Sequence, residues 1–223
     1  MDRFIFVLFQ ECNMNLIILA GAPGCGKGEQ GKRLASLFPD AIKMPPMSTL
    51  LERRLKCSDQ TAMTILESMN AGKMVDDAIV ADVFFDSFKT IQYSQNSKNI
   101  VIVDGFPRTL AQYQACIKSL YSAVDYLNLV YLDMHTSDVT EQEADRELCL
   151  RMLARRDRPT DEQECLHRIS VFKKDTLPFL ARAEKDFSAA PWTRFIRVSA
   201  WSTADVVQEE IVEALGLKSP LLI

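Results

Sequence analysis

Residues 15–30 read NLIILAGAPGCGKGEQ, and the change of character inside this stretch sets the fold. The opening NLIILA is an apolar run without polar alternation, the pattern of a strand covered on both faces, as in a parallel sheet. Five of the chain's eight glycines, Gly21, Gly24, Gly26, Gly28 and Gly31, follow within positions 21–31. Eight is about half of average usage for this length, so their crowding marks backbone that turns tightly or approaches another group closely. From residue 32, KRLASLF carries Leu34, Leu37 and Phe38 at helical spacing. The order is therefore strand, glycine loop, helix. Inside it, GAPGCGK has the spacing G-x-x-x-x-G-K, in which backbone N–H groups and a helix N-terminus face one anion while Lys27 reaches its outer oxygens.

Gly28 and Glu29 follow the lysine, where most such loops place a Ser or Thr hydroxyl on magnesium. A carboxylate about 4 Å from a phosphate costs on the order of 4 kcal/mol at an effective dielectric of 20. Glu29 is therefore expected to turn aside, metal ligation and protonation being the other outcomes. A second apolar run, NIVIVD at 99–104, leads into GFPRT at 105–109. Parallel strands open on a common crevice at their carboxyl ends, which puts Asp104 and Arg108 on the same side as Lys27. Asp104 can hold magnesium water, and the Arg108 guanidinium can fork onto a phosphate.

The remaining composition narrows the function class. The chain has 223 residues, 48% hydrophobic and 25% charged, with a net charge of -4. That supports one compact core and excludes disorder, collagen and coiled coil as whole-chain readings. It is too acidic for wholesale neutralisation of nucleic-acid phosphates. Six cysteines, Cys12, Cys25, Cys57, Cys116, Cys149 and Cys165, lie scattered without a metal-type spacing, and they read as reduced thiols of a cytoplasmic protein. The apolar run FIFVLF at 4–9 is too short for a secretory core or a bilayer span. Residues 1–14 are set apart as an N-terminal extension, an anchor or a start-site artefact.

GAPGCGKGEQ at 21–30 and DGFPRT at 104–109, with Gln112 beyond it, resemble the phosphate loop and the acceptor-phosphate motif of the adenylate kinase family of nucleoside monophosphate kinases. The resemblance runs over residues 15–217. It implies ATP and a nucleoside monophosphate as partners, Mg2+ with the ATP, no nucleic acid, no membrane, and a monomer. ATP binding then falls to Gly24, Cys25, Gly26, Lys27, Gly28, Glu29 and Arg155. Acceptor binding falls to Lys73, Met74, Val75, Gly105, Arg108, Gln112, Arg158 and Arg168, with catalysis by Lys27, Arg108, Arg155, Arg158 and Arg168. Asp104 holds the metal through water. Arginines of this kind neutralise charge that spreads over the oxygens of the moving phosphoryl group.

The family's T-G-D-x-L-R element is not intact. Ungapped counting from Gly72 places Met47 and Glu52 at its threonine and arginine. A two-residue shift instead makes them Thr49 and Arg54, which restores the chemistry and is the assignment adopted. Thr109, where UMP/CMP kinases tend to carry asparagine, tilts the acceptor toward AMP. A nucleotide-binding protein with weak or lost kinase activity, and a UMP/CMP kinase, are the other two readings.

The expected fold is α/β: a P-loop kinase with a central five-stranded parallel sheet and helices on both faces. Strands are expected near 15–20, 41–44, 99–104, 126–132 and 194–198. One domain spans 15–223, its core formed by 15–44, 97–150 and 162–217, with a helical acceptor-binding insert at 45–96 and a minimal lid at 151–161. Residues 135–145 read as a polar insert before the helix carrying Arg151. Phe84, Phe85 and Phe88 form a helical stripe expected to be core.

Overall fold

The computed structural model describes residues 14–38, 41–70, 75–94, 100–136, 138–155 and 161–217. The strands are β1 (Asn15–Gly21), β2 (Ala41–Lys43), β3 (Ile100–Asp104), β4 (Tyr126–Asp133) and β5 (Thr193–Ser199), of which β1, β3 and β4 are the apolar runs. They make one parallel sheet in the order β2-β3-β1-β4-β5. Leu16, Ile17, Leu19, Val101, Ile102, Leu127, Leu129 and Val130 are fully buried, as unalternating hydrophobicity requires.

Nine helices surround the sheet among the described residues: α1 (Lys27–Leu37), α2 (Met47–Arg54), α3 (Gln60–Asn70), α4 (Asp77–Ser94), α5 (Leu110–Ala123), α6 (Glu141–Leu153), α7 (Glu162–Val171), α8 (Leu177–Phe187) and α9 (Ala204–Leu215). Helices α1 and α9 pack together on one face, α5 and α8 on the other. The chain leaves β1 toward β2 and leaves β3 toward β4, on opposite sides of the neighbouring pair β1 and β3. That reversal opens a crevice between the carboxyl ends of these two strands, where an open sheet of this type takes its ligand.

Helices α2, α3 and α4 form the insert between β2 and β3. Phe84 and Phe88 are buried, and Phe84 stacks on Phe106 with centroids 4.3 Å apart, so the stripe seats the insert on the core.

Residues 135–145 do not form an insert as expected. Thr140 and Glu143 make a capping box that starts α6 at Glu141, so half of that polar stretch is the first turn of the helix. The helical run after the lid is interrupted before Pro178, by a π turn over Phe172–Thr176 that hands α7 on to α8. Pro178 has no N–H and its ring clashes with the carbonyl one turn back, and a wider turn relieves both problems. Between Leu153 and Glu162 the connection of α6 to α7 is short, and most of it lies outside the described residues.

Candidate active site

The glycine loop joins β1 to α1. Gly21, Gly24 and Gly26 have φ of 147°, 91° and 98°, a region closed to most side chains. Gly24 is fixed twice, since a Cβ there would lie 2.7 Å from the Leu148 carbonyl oxygen of α6. Helix α1 begins at Gly26 with no side-chain cap, whereas α5, α6, α7 and α9 each have a Thr or Asp capping theirs. The N-terminus of α1 at the crevice is thus left without a side-chain cap, the Glu29 N–H turning back to the Gly26 carbonyl at 3.0 Å, and the helix dipole favours an anion there. Lys27 Nζ donates to the carbonyls of Gly21 at 2.7 Å and Ala22 at 2.9 Å, curling along the loop. Cys25 is buried, and its Sγ lies 3.6 Å from the same ammonium.

Glu29 has turned away from the loop: Arg33 Nε donates to its Oε1 at 2.9 Å, and Arg33 also pairs with Asp205 of α9. These two partners, Asp205 first, raise the Arg33 pKa above its ordinary value.

Across the crevice, β3 ends at Asp104 in register with Leu19, and the Gly105 N–H donates to the Leu19 carbonyl at 3.2 Å. Gly28 faces Asp104, whose Oδ2 lies 3.5 Å from where a Cβ would stand. The loop and the Asp104 carboxylate are therefore in direct apposition. Arg108 folds back over Gly105, its Nε donating to the Gly105 carbonyl at 2.6 Å. Thr176, in the π turn, donates from Oγ1 to the Arg108 carbonyl at 2.8 Å and ties the helical run that carries Arg168 to the acceptor motif. Arg168 is half-buried on α7, and Arg155 is exposed just past α6. Lys73, Met74 and Arg158 lie outside the described residues; Val75 is half-buried against the core.

A carboxylate beside a phosphate loop, as Asp104 is here, suits magnesium, which binds through one or two carboxylates, waters and substrate phosphates rather than a full protein cage. Among the described residues, no three His, Cys, Asp or Glu side chains group as a metal cage.

Arg54 is not brought to Arg108 and Gln112. Its Nη2 donates to Asp59 Oδ2 at 2.7 Å, while Asp59 Oδ1 accepts from Ala62 N at 3.0 Å and caps α3. It lines a cavity of about 800 Å³ with Asp86, Lys89 and Ser119. Ser119 lies roughly two turns along α5 from Gln112, so Arg54 faces the far end of that helix. Thr49 is half-buried on α2.

Two residues that the sequence did not single out enter the site. Lys43, the last residue of β2, sends its stem past Gly31 and its Nζ to 3.8 Å from Asp104 Oδ2 and 3.4 Å from the Gly28 carbonyl. A strand's carboxyl end is a place to look for such a group. Asp77 bonds both Gln112 and Thr109, at 2.8 and 3.2 Å.

The switch-point crevice, the uncapped α1 and the two apposed motifs define a parallel α/β protein that holds a polyphosphate. The sequence model of the adenylate kinase family matches residues 19–186. The chain is 28% identical over 203 residues to an adenylate kinase of Synechococcus sp. (strain RCC307), covering 90% of this chain and 98% of that one. It is 27% identical to an adenylate kinase of Chlamydia muridarum (strain MoPn / Nigg), over 89% of this chain and 86% of the relative. An adenylate kinase of Lachnoclostridium phytofermentans (strain ATCC 700394 / DSM 18823 / ISDg) is 36% identical over 47% of this chain and 45% of its own length. The chain belongs to the adenylate kinase family. It is thus a phosphotransferase of the nucleoside monophosphate kinase type, with ATP as phosphate donor.

Proposed function

We propose that the chain transfers the terminal phosphate of Mg-ATP reversibly to AMP, giving two ADP. The observation that carries this reading is the uncapped N-terminus of α1 with Lys27, directly across from Asp104 and the Gly105–Arg108 turn. The loop amides and Lys27 hold the donor phosphates. An oxygen of the acceptor phosphate attacks the γ-phosphorus in line, the bond to the ADP leaving oxygen breaks, and no covalent enzyme intermediate forms. Arg108 and Arg168 hold the acceptor phosphate. Arg155 and Arg158 meet charge developing on the transferred group, which is what preorganised cations do best in a water-poor site. Asp104 would hold Mg2+ through water, and the ion would supply charge neutralisation to the donor phosphates. Closure over the bound pair excludes water that would otherwise hydrolyse ATP.

AMP is supported over pyrimidine acceptors by Thr109, which caps α5 and donates to Asp77, and by the names of the relatives. Val75, Gly105 and Gln112 belong to the acceptor side together with Lys73 and Met74, and with Thr49 by its resemblance to the family's threonine. Arg54 is left out, because its partner is Asp59. We read the protein as a cytoplasmic monomer. Free thiols at all five described cysteines support a reducing compartment, and every group invoked comes from one chain. No described helix is long and apolar enough to cross a membrane.

A coupled assay with ATP and a panel of AMP, CMP, UMP and GMP tests the reading. The expected result is the highest kcat/KM with AMP. A higher value with UMP or CMP would replace it by a pyrimidine kinase, and ATP binding by calorimetry without turnover on any acceptor would replace it by a nucleotide-binding protein.

A further inference from the structure

Gln112 is 4% exposed, and the hydrogen bonds around it form a closed, directed ring. The Arg108 N–H donates to Gln112 Oε1 at 2.8 Å. The Gln112 N–H donates to Thr109 Oγ1 at 3.0 Å, which leaves the threonine hydroxyl hydrogen for Asp77 Oδ2 at 3.2 Å. The Gln112 side-chain amide donates from Nε2 to Asp77 Oδ1 at 2.8 Å. A carboxylate only accepts and a backbone N–H only donates, so the NH2 of Gln112 must face Asp77 and its oxygen must face Arg108. Flipped, the amide would set oxygen against carboxylate and NH2 against N–H. The amide has two N–H groups and two lone pairs. After this ring is made, one donor and one acceptor remain, in a fixed order.

We propose that Asp77 is a positioning residue that locks the Gln112 amide in one orientation and thereby makes the site distinguish a 6-aminopurine from a 6-oxopurine acceptor. The proposal deepens the reading above and rests on it, since there Gln112 faces the acceptor base. Adenine offers an acceptor at N1 beside a donor amino group, and hypoxanthine offers the reverse order at the same two positions. A fixed donor and acceptor pair matches one order and opposes the other, whereas an amide free to flip serves both. Leaving buried polar groups unmatched is what gives such sites their large discrimination.

The test compares AMP with IMP as acceptors for wild type, Asp77→Asn, Gln112→Ala and the double variant. Asparagine can donate as well as accept, so it removes the part of the lock that Asp77 supplies and leaves the Arg108 N–H as the restraint on the amide. The expected result is an AMP-to-IMP ratio of kcat/KM that falls about tenfold in Asp77→Asn, mainly through a higher KM for AMP with kcat little changed. In the Gln112→Ala background, adding Asp77→Asn should change the ratio no further. An unchanged ratio in Asp77→Asn, or an equal fall in both backgrounds, would overturn the proposal. Asp77 also begins α4, so a purely structural role would lower the melting temperature and leave the ratio alone. Nuclear magnetic resonance of the acceptor-free protein decides the lock apart from turnover. The Gln112 side-chain amide protons should exchange slowly in wild type and quickly in Asp77→Asn, and equal exchange in both would overturn it. A wild type inactive on AMP and IMP, with the exchange difference intact, would remove the function reading and keep the lock.

Discussion

Glu29 stands two residues beyond the lysine of the phosphate loop, and Arg33 one helical turn further on holds its carboxylate at 2.9 Å. The pair keeps a negative charge from the donor phosphates. Arg33→Ala should therefore raise the KM for ATP by about tenfold through the freed carboxylate, and Glu29→Ala in the same chain should restore it. Steady-state kinetics at fixed ionic strength checks both, and an unchanged KM in Arg33→Ala would contradict the argument. Arg54 does comparable work for Asp59, holding that carboxyl below its ordinary value, with the Ala62 N–H helping. A depressed folded value means that the contribution to stability is complete above the ordinary carboxylate range and is lost as pH falls through the lowered value. Carbon-detected titration of Asp59 should show Arg54→Met moving it up toward the ordinary carboxylate range, and no change would contradict the pairing. Among the cysteines, burial pushes the Cys116 thiol up to about 12, while Cys57 is exposed. Iodoacetamide should label Cys57 and spare Cys116 in the native protein. The turned-aside Glu29 was legible from charge repulsion alone. The place of Arg54 was not: the spacing of five from Thr49 fits the family's pattern, but which way a helix faces depends on packing that spacing does not encode.

At the scale of elements, α1 is the helix whose missing cap has a consequence. No side chain caps its first turn, although the Glu29 N–H donates to the Gly26 carbonyl at 3.0 Å, and Gly24 brings the loop against Leu148 of α6, the helix that leads to Arg155. Gly24→Ala sets a methyl group 2.7 Å from a backbone oxygen at a φ of 91°. The expected loss is about 2 kcal/mol or more of stability, read by urea unfolding, together with a weakened affinity for ATP read by calorimetry. A loss below about 0.5 kcal/mol, the usual scatter of neutral surface changes, would show that the loop shifts at little expense. The sequence marks element boundaries where their chemistry is local, as with Thr203 before α9 and Gly216 after it. It misleads over residues 135–145, where polar composition suggests a loop although Thr140 and Glu143 already spell a capping box. The π turn at Phe172–Thr176 is visible in the sequence only as Pro178, and how the helix accommodates that proline is settled by packing around it.

For the whole molecule, a five-stranded parallel sheet and one reversal of chain direction put the two phosphate motifs side by side. Those strands were legible to within a residue at each end: in β1, β3 and β4 a core covered on both faces admits little but apolar side chains, while the edge strand β5 shows alternating buried and exposed residues. The shared crevice also followed from the sequence, since both motifs close a strand. Lys43 and Asp77 did not, because each reaches the site from a distant element by its side chain alone. What the assembly has to do is move one phosphoryl group between two nucleotides without losing it to water. Phosphorus-31 resonance of a mixture of Mg-ATP and AMP follows that event directly. With wild type, the AMP and γ-ATP signals should fall together while the two ADP signals grow and inorganic phosphate stays at background. Lys27→Met should slow the exchange by at least about a hundredfold. Inorganic phosphate as the main product, or ADP forming equally fast without Lys27, would contradict the account.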